Sequence, residues 1–229
     1  MNDTIYQAAA LIVPLIFAIV FHEVAHGWVA RALGDPTASQ LNRLSLNPLR
    51  HVDPVGTILL PGALKLLGLP VFGWAKPVPV DFRRLNNPRR DMILVAAAGP
   101  GMNLLMALLS SVLLGLLALA VPAPAVHTVP HFVGLSLLLF IQINIFLALF
   151  NLIPIPPFDG SHIMEGLLPE RAAAAYGQLR KVGFLLVIVL IVVLPQVIPG
   201  FNPVGQLIGA PVNWLTQRYL DIAGAIAGG

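Results

Sequence analysis

Apolar residues run almost unbroken through 5–33, 92–121, 131–153 and 182–198, separated by short stretches rich in proline, glycine and charge. About 20 apolar residues in a helix cross the ~30 Å hydrocarbon core of a bilayer. The pattern therefore predicts an all-α polytopic membrane protein: a three-helix core followed by one or two further C-terminal helices. Residues 204–224 are only mildly apolar and carry Asn213, Gln217, Arg218 and Asp221. Two readings stay open there, a last span or an interfacial helix.

Residues 55–73 break the pattern. Pro61, Gly62, Lys65, Gly68 and Pro70 interrupt the apolar run, and basic stretches flank it on both sides. Basic loops favour the cytoplasm, so this piece is expected to dip into the membrane and return. Its returning limb, 73–80, reads as extended chain. Pro77 and Pro79 lie two apart, so their missing N–H groups fall on one strand edge. That predicts a re-entrant β-hairpin-like segment over about 55–80. Its intact edge would take an unwound substrate segment by strand addition at Val78 and Val80, or the stretch is a plain proline-rich loop. The whole of 1–229 reads as a single domain, with its core at about 5–165 and C-terminal helices at about 178–224.

Composition sharpens the class. Hydrophobic residues make up 57% of the 229 positions and charged residues 10%, against about 25% charged in a soluble chain. Mean hydropathy is +0.85. The net charge of +3 sits in short loops, which sets topology and builds no nucleic-acid surface. Every Lys and Arg except Arg218 falls on one side or in the re-entrant piece, which makes that side cytoplasmic and leaves the N-terminus outside. The lipid bilayer is thus the expected surroundings, in the cell membrane. With no cysteine, a transition metal must rest on His, Asp or Glu.

The candidate chemistry lies inside the first apolar run, at His22-Glu23-Val24-Ala25-His26. On a helix, i and i+4 share a face, so two imidazoles can grip one cation while Glu23 stands one position around. This H-E-x-x-H arrangement suits Zn2+, one per chain, with the glutamate as general base. The bland alternative is a buried histidine pair bonded to neighbouring backbone. Near the start of the second run, Gly99-Pro100-Gly101-Met102-Asn103 allows close helix approach. Asn103 either reaches the metal-side cavity or makes a helix–helix hydrogen bond. Pro154, Pro156 and Pro157 then unwind the chain just before Asp159-Gly160. Asp159 is the best candidate for a third metal ligand; the other reading makes it the N-cap of a helix beginning near Ser161.

Together these segments resemble the site-2 protease family of intramembrane zinc metalloproteases. His22-Glu23-x-x-His26, Gly99-Pro100-x-x-Asn103 and Asn151-x-x-Pro154-x-x-x-x-Asp159-Gly160 carry the resemblance, joined by 47–56 and 73–80, which resemble the compact prokaryotic members without PDZ or CBS domains. The resemblance implies zinc held by His22, His26 and Asp159, Glu23 as general base, and cleavage of transmembrane protein substrates within the bilayer, often as a step in regulated signalling. Asn151 matches the family's asparagine and is expected to orient substrate or stabilise the oxyanion. The active site would lie toward the cytoplasmic side. Two rival functions remain at this point: a zinc-permease-like metal-ion transporter, and a membrane zinc protease acting on soluble or lipidated peptides, with Glu165 or Glu170 as its third ligand.

Overall fold

The computed structural model describes residues 3–68 and 73–228. The chain runs α1 (Asp3–Ala32), α2 (Thr37–Gln40), α3 (Leu60–Leu66), α4 (Pro88–Ala120), α5 (Val129–Asn151), α6 (Asp159–Leu167), α7 (Glu170–Gly177), α8 (Gly183–Ile188), α9 (Leu194–Val197) and α10 (Pro203–Ile226). Three of these, α1, α4 and α5, are long and apolar enough to cross a membrane, and they form the expected three-helix core. The protein is a multi-pass membrane protein.

Each long helix stops where its sequence forces it to. Pro88 sits in the first turn of α4, where a missing N–H costs nothing, and the Asp91 carboxylate accepts from Asn87 N–H at 2.7 Å. Three prolines in the next six residues end α5 at Asn151. Between the core helices, fully buried Ala10, Ala18, Ala107 and Ala148 allow close backbone approach. Small residues serve this purpose in a bilayer, where lipid tails are as apolar as leucine and only packing favours contact.

α10 lies along α4 and α5. Val212, Leu215 and Tyr219 pack on buried Ala107, Ile141 and Ile145, and Ser111 Oγ donates to the Tyr219 carbonyl. Residues 204–224 are therefore a helix held against the core.

One expectation needs correction. No strand exists among the described residues, so the β-hairpin-like segment is not formed. Its first part is a π-helical turn, Pro54–Leu59, running into α3. The 69–72 part of the predicted segment lies outside the described residues. Residues 73–81 are extended but unladdered: Trp74 N–H bonds Gly56 O at 3.2 Å and Lys76 N–H bonds His51 O at 2.8 Å. Proline at 77 and 79 removes the donors a second ladder would use. The 182–198 run is helical from Gly183 to Val197. α8, a π-helical turn (Val189–Val193) and α9 together bend 65° from the preceding α7 segment. Both π turns precede a proline, Pro61 or Pro195, whose ring presses on the carbonyl four residues back.

Candidate metal centre

α1 carries His22 and His26 one turn apart on its buried face. Their rings meet edge to face with centroids 4.7 Å apart, and the two Nε2 atoms are 3.1 Å from each other. Space for the rings comes from α4. A Cβ on Gly99 would lie 2.4 Å from His26 Nε2, so the close approach predicted at Gly99 is made by the histidine rings themselves. Asp159 arrives from the unwound segment after α5. Its Oδ2 stands 3.2 Å from His22 Nε2 and 3.4 Å from His26 Nε2. Gly160 permits this corner by close approach, since a Cβ there would strike Leu152 O at 2.2 Å. The turn is made without a left-handed residue at 160.

The hydrogen bonds on the far side of each ring decide what the near side can do. His26 Nδ1 faces Val95 O at 2.7 Å, and a carbonyl only accepts. His22 Nδ1 faces Asn103 Oδ1 at 2.6 Å, while Asn103 Nδ2 donates to Ala18 O at 3.2 Å and Asn144 Oδ1 at 2.8 Å. Both Nδ1 atoms are therefore protonated, so each ring in its neutral form presents a bare lone pair at Nε2. Asp159 Oδ2 is buried with no hydrogen-bond donor. With both rings neutral, three electron-rich atoms converge here, an arrangement that repels itself unless a cation, a metal ion or a proton, sits between. Two imidazoles and one carboxylate match the donor set of three-ligand zinc sites, so these residues fit the metal. Among the described residues this is the one group of three that could hold an ion.

Glu23 is half-buried beside the pair. Its Oε2 accepts the backbone N–H of Val78 at 2.8 Å. Val78 is 6% exposed and reaches in over Gly27, where a Cβ would sit 2.8 Å from Val78 Cγ1. The N–H groups of 74, 76 and 78 all point inward to protein acceptors. The edge expected to pair with substrate at Val78 is already in use.

The remaining predicted residues fall as follows. Asn103 is fully buried, and its amide is committed to His22, Ala18 and Asn144, so it bonds across helices and reaches the metal side at once. Asn151 ends α5, with one amide N–H on Leu147 O at 2.9 Å. Asp159 opens α6, with Phe158 as the cap residue, so the N-cap reading does not describe it. Glu165 pairs with Arg180, and Glu170 begins α7, away from the cluster. Asn144 escaped the sequence reading. Its signal was an amide in an apolar run, seven residues before Asn151 and hence on nearly the same helical face.

Fold and cluster define the class: a multi-pass membrane protein with a His–His–Asp triad buried between its core helices. Residues 125–194 match the sequence profile "Peptidase family M50". The chain is 38% identical over 194 residues to YwhC of Bacillus subtilis (strain 168), covering 80% of each protein. It is 31% identical over 179 residues to Rip2 of Mycolicibacterium smegmatis, covering 77% of this chain and 64% of that one. Against Rip2 of Mycobacterium tuberculosis (strain ATCC 25618 / H37Rv) the figure is 30% over 189 residues, covering 81% and 67%. All three are named as zinc metalloproteases. No solved structure matches the chain. The chain belongs to peptidase family M50, the site-2 protease family.

Proposed function

We propose that the protein is an intramembrane zinc metalloprotease that hydrolyses peptide bonds in transmembrane segments of other proteins. It would work in the cell membrane with its site toward the cytoplasmic face. The observation that carries the reading is the convergence of His22 Nε2, His26 Nε2 and the donor-less Asp159 Oδ2. These three would hold one zinc ion per chain. Bound there, zinc supplies a Lewis acid that polarises an amide carbonyl and acidifies water.

The chain's own groups do the rest. Glu23 takes a proton at its carboxylate from the attacking water and returns it to the leaving amine. Val78 N–H holds that carboxylate in one orientation. A helical substrate hides its carbonyls in i→i−4 bonds, so the reacting stretch must unwind first. Asn151 keeps a second amide N–H for the substrate carbonyl, and any main-chain pairing along 73–81 falls to Val80, because Val78 donates inward.

The test is Glu23→Gln in purified protein. The variant should retain about one zinc while cleavage of a model transmembrane substrate falls about 10²–10⁴-fold. Vesicle metal uptake that survives this substitution, with no cleavage by the parent, would overturn the protease reading in favour of transport.

A further inference from the structure

We infer that Asn144 is a positioning residue for the metal centre, acting through Asn103 to fix which nitrogen of His22 is free. The inference rests on the zinc reading above. Asn144 is fully buried on the face of α5 that also carries Ile141, Ile145 and Ala148. An apolar side chain would pack there at no polar cost, so an amide in that row requires a reason.

The reason lies in the direction of its bonds. Asn144 Nδ2 donates to Phe140 O at 2.8 Å, within its own helix. A backbone carbonyl accepts only, so Asn144 must turn Oδ1 toward α4. There it accepts from Asn103 Nδ2 at 2.8 Å, and Ala18 O on α1 takes the other N–H of that amide at 3.2 Å. Asn103 is left with Oδ1 toward His22 Nδ1 at 2.6 Å, and His22 must donate. Each amide donates to a backbone carbonyl, Phe140 O for Asn144 and Ala18 O for Asn103, so no flip of either satisfies as many groups. The order Phe140 O, Asn144, Asn103, His22 thus specifies a bare Nε2 across three helices. His26 needs no such relay, because Val95 O fixes its Nδ1 directly.

That asymmetry supplies the control. Asn144→Leu keeps the branched four-atom shape and removes the acceptor, whereas Asn144→Asp, held neutral by its apolar surroundings, can accept from Asn103 and donate to Phe140 O. Zinc affinity would be read by chelator competition, and the ring tautomers by NMR of the zinc-free full chain labelled with ¹⁵N-histidine, with His22 and His26 assigned by substitution. Asn144→Leu should weaken zinc binding about 10–100-fold and populate the Nε2–H form of His22, with His26 unchanged. Asn144→Asp should restore both readouts. If His22 and His26 shift together, Asn144 is a packing residue and the inference fails. It fails equally if zinc affinity and the His22 tautomer match the parent. A parent that binds no zinc overturns the zinc reading instead, while the tautomer comparison still judges the relay.

Discussion

Two aspartates stand at the ends of helices near this site, and they are opposites. Asp35, just past α1, is wholly buried and saturated: Oδ1 accepts from Thr37 N–H and the Thr37 hydroxyl, and Oδ2 accepts from Asp81 N–H at 2.7 Å. Asp159, at the start of α6, buries an oxygen that no backbone or hydroxyl donor serves and aims it at two imidazole Nε2 atoms. One carboxylate fastens the chain: it clamps the 81 region onto the end of α1 and thereby helps seat residues 73–81 over Glu23. The other holds an open valence. A buried charge that is fully satisfied is structural; one left unsatisfied points to a ligand.

The sharpest way to break this contrast is Asp159→Ala. Cleavage should fall on the order of a thousandfold with zinc affinity, because a two-histidine site lacks a third anchor. The metal-free protein should lose less stability than the zinc-loaded protein, since only the latter loses a metal ligand. Thermal unfolding with and without chelator measures both. An equal loss of stability in both states would place Asp159 with Asp35.

Asp35→Asn should do the reverse, lowering stability by about 2 kcal/mol near neutral pH while folded protein keeps its zinc affinity. Burial alone would raise the Asp35 carboxyl, but the Thr37 hydroxyl and N–H, Asp81 N–H and nearby Arg84 outweigh it and hold it below its ordinary value. The stability it contributes is thus fully present above the unfolded value, about pH 4, and is lost as pH falls through the lower folded value. Parent and variant should converge in unfolding temperature only in that acid range.

The smallest effect should come from His127→Ala with His131→Ala. These histidines repeat the four-residue spacing of His22 and His26, but His127 precedes α5 with φ of 67°. Its Nε2 meets Asp3 at 2.9 Å, and His131 Nδ1 accepts from Tyr6 O–H at 2.6 Å. Zinc content should stay at the parent's value, and stability should change by less than about 1 kcal/mol.

Hydropathy is a local property, so the three core helices were legible from the sequence to within a few residues at each end. The histidine face was legible because helical spacing alone brings His22 beside His26. What spacing omits is the partner. The identical interval at 127 and 131 makes no shared site, because one residue lies outside the helix. Pro77 and Pro79 correctly announced extended chain but carried no information on where its N–H groups would go. Asn144 was invisible for a related reason: an asparagine in an apolar run reports only that something accepts or donates nearby. Its meaning depends on Phe140 O behind it and Asn103 ahead of it.

The hydrogen that Glu23 receives at position 78 belongs to the main chain. Nineteen of the twenty amino acids would deliver it unchanged. Sequence drift at that position can reshape the neighbouring packing yet leaves the contact to the base intact, and proline alone abolishes it. The prolines stand on either side, at 77 and 79, and spare the one residue between them.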